Sequence, residues 1–234
     1  MSEPSAPYHP STLSGTRRSR TAPGLAVAAL LLALVATACT GADPDHGERG
    51  AARGAPAVAG PAGVTGPLCD VLPAGTDPGN PASLAGEPVD VVLQWIPVLT
   101  RFEAALRASG LGPELRGMTG LTILAPTDDA FGGKFSEDTL DKLFIERKDD
   151  LRALLKAHIV DGSRPLADLV AAGQVTTLDG TPVEVTASGA MARVAGQADT
   201  LCVDYRAVNA RIHIIDKVLG KLPTDADGGD HRSH

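Results

Sequence analysis

Aromatic side chains are scarce in this chain, one Trp, two Tyr and four Phe among 234 residues, while Ala and Gly abound. That bias reflects genome composition more than fold. No basic cluster occurs beyond the first twenty residues. The whole chain carries a formal charge of −7, and residues 1–38 hold three Arg and one Glu, which leaves 18 basic against 27 acidic side chains, near −9. An acidic chain without a basic patch is a poor binder of phosphate backbones, so nucleic acid is excluded as a partner. The patterns that carry catalysis are missing as well. There is no G-x-S-x-G, no H-E-x-x-H, no P-loop and no G-x-G-x-x-G opening a helix. Nothing calls for a cofactor, and the reading is of a non-enzyme.

The N-terminus reads as an export signal. Arg17, Arg18 and Arg20 form a basic region ahead of Gly24–Ala36, an uncharged Ala/Leu/Val run. At roughly 13 residues it has the length of a signal core and is short for a spanning helix. Small residues, Ala36-Thr37-Ala38, lead directly into Cys39. This resembles a bacterial lipobox, in which Cys39 would be acylated and become the mature N-terminus at the outer face of the membrane. The alternative is ordinary cleavage after Ala38, leaving a free thiol. Arg17-Arg18 raises twin-arginine export, although Ser19 and Arg20 fit that pattern poorly. The residues before Arg17 are long for such a region and suggest a start site further along.

Three cysteines are present, Cys39, Cys69 and Cys202. With Cys39 acylated, two remain in an oxidising compartment and are expected to pair. Closing a loop of roughly 130 residues disfavours the unfolded chain by about 5 kcal/mol. A metal site is the other use of cysteine, but neither Cys69 nor Cys202 has a C-x-x-C neighbour or a spaced His pair.

Residues 39–66 read as a flexible Gly/Ala/Pro linker with too few large apolar side chains to build a core. It would hold the domain clear of the membrane. Residues 224–234 read as a disordered tail. Its acids and histidines, Asp225, Asp227, Asp230, His231 and His234, resemble a calcium-loop fragment without the closing Glu, so solvation is the expectation and no metal is assigned. The folded part is then one domain over 67–223. Its apolar spacing predicts a helical stretch from Val89 to Leu111, divided at Pro97 and stopped by Gly110 and Gly112. Further helices follow from Thr127, over Ser136–Leu143, over Asp149–His158, and around Leu166–Val170 up to Gly173. The period then changes to two. Val175–Leu178, the Asp179-Gly180 turn and Pro182–Thr186 read as a hairpin. Ala192–Val194, Leu201–Val203 and Ile212–Val218 follow as strands. Helices first and strands later make an α+β fold.

The stretch Thr122–Phe131, TILAPTDDAF, reads as a strand running into a capped helix. Thr122, Ile123 and Leu124 favour extended backbone, and Pro126 keeps Ala125 extended. Thr127 is placed to cap, with Asp128 and Asp129 in the first turn, where negative charge suits the dipole. The stretch resembles the first signature of fasciclin-like domains. LLKAHIVDG, Leu154–Gly162, resembles the family's central Tyr-His segment, and RIHIIDKVL, Arg211–Leu219, its closing signature. Together they span most of Val89–Leu222. The resemblance implies a wedge of twisted sheets with helices packed along one side, and a protein that binds or adheres. It also implies the Cys69–Cys202 pair, because single-domain fasciclin antigens of actinobacteria carry one cysteine before the fold and one shortly before the closing strand. Ala157 stands where the family has Tyr, which argues against integrin-type adhesion.

The candidate binding residues are Asp128, His158 and Asp216, each with a plainer role beside it. Asp128 suits a helix start. His158 suits a helix-to-strand junction where it bonds backbone. Asp216 alternates with Ile215 and Val218 on a half-buried strand. The expected protein is a monomeric, lipid-anchored surface module that binds another surface or extracellular protein. Carriage of a small apolar ligand in a groove between helices and sheet is the alternative.

Overall fold

The computed structural model describes residues 63–226. Cys39, the signal, most of the linker and residues 227–234 lie outside them. Eight helices are present among the described residues: α1 (Pro81–Leu84), α2 (Val89–Val92), α3 (Thr100–Ala108), α4 (Gly112–Gly117), α5 (Asp128–Gly132), α6 (Glu137–Ile145), α7 (Lys148–Lys156) and α8 (Leu166–Ala172). Seven strands accompany them: β1 (Leu121–Pro126), β2 (Ile159–Asp161), β3 (Gln174–Thr176), β4 (Pro182–Ser188), β5 (Met191–Val194), β6 (Ala198–Arg206) and β7 (Ala210–Ile215). They form one sheet in the order β2-β1-β7-β6-β5-β4-β3. Only the β1–β7 pair is parallel, from Leu121 opposite Ala210 to Pro126 opposite Ile215. The sheet curls until its edges touch: Val160 bridges Thr177, and Leu178 N–H donates to Ile159 O at 2.7 Å.

The β1–β7 pair lies between two cores, because alternate side chains of a strand point to opposite faces. Ile123, Ala125, Ile212 and Ile214 join the helical core with Leu99, Phe102, Leu106, Phe131 and Leu155. Leu124 and Ile215 face the other way, into a smaller core with Leu169 of α8, Val185 and Val194. All six residues of β1 are therefore buried. Its one polar side chain is satisfied: Thr122 Oγ1 donates to Gly162 O at 2.6 Å and accepts from Arg164 N–H at 2.9 Å.

Local signals place the helices. Thr127 accepts the Ala130 N–H at 3.1 Å and Ser136 the Thr139 N–H at 3.3 Å, so both act as N-caps. Pro97 interrupts the first helical stretch. The chain goes from α2 through a 3-10 turn, Leu93–Trp95, and a second, Pro97–Leu99, into α3. Gly110 at φ +69 ends that stretch, but Gly112 does not. Gly112 opens α4, because Pro113 presets the first turn. The expected Ile212–Val218 strand stops at Ile215, and α1, capped by the Asn80 side chain, stands where no element was expected.

Two expected boundaries move. The fold begins before residue 67: Val64 is buried, and Thr65 exchanges both backbone hydrogen bonds with Val203, at 3.2 and 2.9 Å. At the other end Asp225 is tied down. Its N–H donates to Lys134 O at 2.9 Å, and its carboxylate accepts from Ser136 N–H at 3.3 Å and from the Thr139 hydroxyl. A carboxylate at the start of α6 suits the dipole there.

Cys69 and Cys202 form a disulfide-compatible pair, with sulfurs 1.97 Å and Cα atoms 5.2 Å apart. The approach depends on Gly66. A Cβ there would stand 2.3 Å from Leu201 O and 2.9 Å from Cys202 Cα, and its φ is +140. Only glycine lets the N-terminal segment cross β6 this closely.

Candidate functional site

Each polar residue singled out from the sequence is engaged within the chain. Asp128 accepts the Arg101 N–H and the Thr100 hydroxyl, both at 2.7 Å, so it ties the start of α5 to the first turn of α3. Asp216 lies just past β7. Its carboxylate accepts the Asp199 N–H at 2.7 Å and its N–H donates to Asp199 O at 3.1 Å, closing the β6–β7 end. His158 is buried between α7 and β2. Its Nδ1 lies 2.8 Å from Leu154 O, which can only accept, so Nδ1 carries the proton. Nε2 then accepts the Leu219 N–H at 2.8 Å. One neutral imidazole thus joins the end of α7 to the chain beyond β7. The Phe102 ring meets it edge-on, with centroids 6.1 Å apart.

His213, to which the sequence assigned no role, makes the same kind of link. It sits in β7, fully buried. Nε2 donates to Arg164 O at 3.0 Å, and Nδ1 accepts the Asp204 N–H at 3.3 Å. Asp204 itself has φ +68, and its carboxylate accepts the first N–H of α8, from Leu166, at 3.3 Å. The strained backbone is what aims that carboxylate at the helix.

Burial pushes the His158 imidazole down to about 4, with the Leu154 carbonyl opposing the shift, and burial likewise lowers His213. Both must gain a proton on unfolding in mild acid. A group whose folded pKa is depressed contributes stability above its unfolded value, near 6.5, and loses it as pH falls through the folded one. Stability is therefore expected to drop between pH 6.5 and 4, by about 3 kcal/mol from His158 alone. Urea melts across this range check it, beside His158→Gln, which should be weaker at pH 7 but show a shallower slope. A wild-type curve flat from pH 7 to 4.5 would contradict the buried neutral imidazole.

What remains open on the surface is grooved. Between α8 and the β4–β5 hairpin lies a groove of about 460 Å³, walled by Leu166, Val170, Ala187, Met191 and Val203, with Asp204 at its rim. Near it β5 leaves β6 early. Only Arg193 and Val194 pair with β6, and both the N–H and the C=O of Ala192 turn to the Thr200 hydroxyl instead, at 2.9 and 3.2 Å. A second groove runs between α2 and α3, past Gln94, Glu103 and Arg107. Trp95, next to Gln94 in the chain, is half exposed. Among the described residues no three His, Cys, Asp or Glu side chains converge as metal ligands, and no helix is long and apolar enough to cross a membrane.

A parallel β1–β7 pair held between two cores, joined by buried neutral histidines and stapled to its N-terminal segment through β6, defines a compact α+β module. The fasciclin domain model matches residues 97–221, and the chain belongs to the fasciclin domain family. It is 36% identical over 172 residues to the immunogenic protein MPB70 of Mycobacterium bovis, a match covering 70% of this chain and 84% of that one. The transforming growth factor-beta-induced protein ig-h3 of Sus scrofa is 36% identical over 131 residues, which is 55% of this chain and 19% of that much longer protein. A solved FAS1 domain pair from the insect cell adhesion molecule Fasciclin I aligns at 22% identity and a TM-score of 0.41. That match covers 51% of this chain and 44% of that chain. Members of the family are in general adhesion or antigen proteins rather than catalysts.

Proposed function

We propose that this chain is an exported, lipid-anchored fasciclin domain that binds a protein partner at the outer face of the membrane and catalyses nothing. One observation carries the reading. Asp128, Asp216, His158 and His213 are all spent on hydrogen bonds that join one element to another, so these four side chains serve the fold. What the described surface offers instead is open grooves and the half-exposed Trp95, features suited to contact with another macromolecule. Family membership supports adhesion or protein binding. The second reading, a small apolar ligand, is favoured by the groove beside α8, whose volume falls in the range of small-molecule sites. Leu169, Val185 and Val194 fill the core behind it.

Anchoring rests on Cys39 and the apolar run before it. A single acyl chain holds a protein only marginally, whereas the two or three chains of a lipoprotein hold it stably. Wild type is expected in the detergent-rich phase of a detergent separation, with Cys39→Ser released or left as unprocessed precursor. Wild type in the aqueous phase alongside the variant would remove the anchor from the account. Partner binding is tested separately, by adhesion of the folded protein to whole cells before and after protease treatment of those cells. Protease-sensitive adhesion supports a protein partner, and adhesion indifferent to protease does not.

A further inference from the structure

His213, Asp204 and the start of α8 are linked in series, and the series ends at the groove beside α8. Between the Cys202–Ile214 and Tyr205–Ile212 pairs, two residues of β6, Val203 and Asp204, stand opposite His213 alone. Such a bulge re-aims a side chain. It leaves Asp204 at φ +68, which a non-glycine residue holds only where its surroundings impose it. The Asp204 N–H is held by His213 Nδ1 at 3.3 Å, and its carboxylate accepts the Leu166 N–H at 3.3 Å. α8 needs that carboxylate, because Pro165 at its N-cap position offers no side-chain cap. The helix is otherwise lightly held, with only Leu166 and Leu169 buried. Leu166, Val203 and Asp204 all line the groove.

We propose that His213 is an acid-sensitive latch on this groove: a second proton on the imidazole turns Nδ1 into a donor, the Asp204 N–H loses its acceptor, the Asp204 carboxylate swings from Leu166 to the imidazolium, and the start of α8 comes free. The latch does not depend on what occupies the groove. The groups facing the ring are few. Asp204 of β6 favours the charged form, and Arg211 of β7, paired with Asp204 at 3.4 Å, opposes it. β1 sets Leu124 opposite and carries no titratable side chain, while Asp168 of α8 and Arg164 before it are exposed. Burial keeps the latched imidazole neutral. Once released to water the ring regains its ordinary value near 6.5, so each pH unit below that raises the released population about tenfold. Release stays local because little is buried with α8. His158 is bound more firmly, since α7 buries Leu151, Leu154 and Leu155.

The test is hydrogen–deuterium exchange of the full-length protein at pH 7, 6 and 5, with rates corrected for the intrinsic effect of pH. Amides of α8 are expected to accelerate about tenfold between pH 6 and 5, while those of α7 remain far better protected. His213→Asn places an oxygen near the site of Nδ1 and has no proton to gain, so α8 exchange should become flat with pH, whatever its absolute rate. His158→Gln should keep the full slope. That second variant carries the test if His213→Asn fails to fold, because His158 and His213 are the only histidines among the described residues. Corrected α8 exchange that does not change with pH, α7 and α8 exchanging at one common rate, a slope kept in His213→Asn, or a slope lost in His158→Gln would each overturn the latch.

Discussion

Replacing Cys69 and Cys202 together with alanine is expected to destabilise the domain by about 4–5 kcal/mol. The bond joins residues 133 apart in sequence, so it removes much of the freedom of the unfolded chain. The effect is comparable to the whole stability of many domains. The native state does little to soften the loss. Cys202 is fully buried in β6, and the segment it anchors is otherwise held by the Thr65–Val203 exchange, the Leu68 N–H bond to Leu201 O at 3.0 Å and the buried Val64 and Leu72. Freed of the bond, residues 63–72 should detach first, uncovering Val203 and the rim of the α8 groove. Urea melts with and without reductant measure this, and reduced wild type should match the double variant. Non-reducing peptide mapping is expected to give one crosslinked pair. Two alkylatable thiols at Cys69 and Cys202 in the folded protein, or melts unmoved by reductant, would end the claim.

Phe131→Ala is expected to cost about 3–5 kcal/mol, and Thr127→Ala, four residues earlier, only about 1 kcal/mol. The ordering follows from what each side chain does. Phe131 is fully buried in the helical core that also holds Ile212, Ile214 and Val218, and its ring lies 6.4 Å from that of Phe135. Its loss leaves a cavity in that core. Thr127 supplies a single cap to the Ala130 N–H. Thermal melts of both variants beside wild type separate the cases. A Phe131→Ala variant as stable as wild type would contradict the packing of the first signature onto the closing strand. Equal losses would mean that the cap bears more of the α5 junction than one hydrogen bond allows.

Features decided within a few residues were legible in the sequence. The Thr127 and Ser136 caps, the Pro97 break, the Gly173 stop at φ +68 and the Asp179-Gly180 turn all depend on local backbone chemistry. Legibility failed where a local signal has two uses. Gly112 can stop a helix or precede one, and Pro113 decides for the second. Asn80-Pro81 is an equally good start signal for α1, a capping side chain followed by proline at the first helical position. Other features have no local trace. That β1 runs parallel to β7, that β2 closes on the end of β3, and that Asp204 takes a positive φ to cap α8 are set by pairings of distant residues. The site residues divide the same way. His158 at a helix-to-strand junction bonding backbone could be read from its position, whereas the internal use of Asp128 by α3 and the link from His213 to Arg164 could not. The grooves were least visible of all, since Asp90, Glu103 and Pro113 meet only once α2, α3 and α4 have packed.

The most direct test of partner binding is surface crosslinking of the intact protein on its own cells, followed by mass spectrometry of crosslinked proteins and co-purifying small molecules together. The account predicts discrete protein adducts to the described domain that are absent when the same cells are treated with protease before crosslinking. A lipid-like molecule held at one per chain, with no protein adduct, would contradict it and move the function to the groove beside α8.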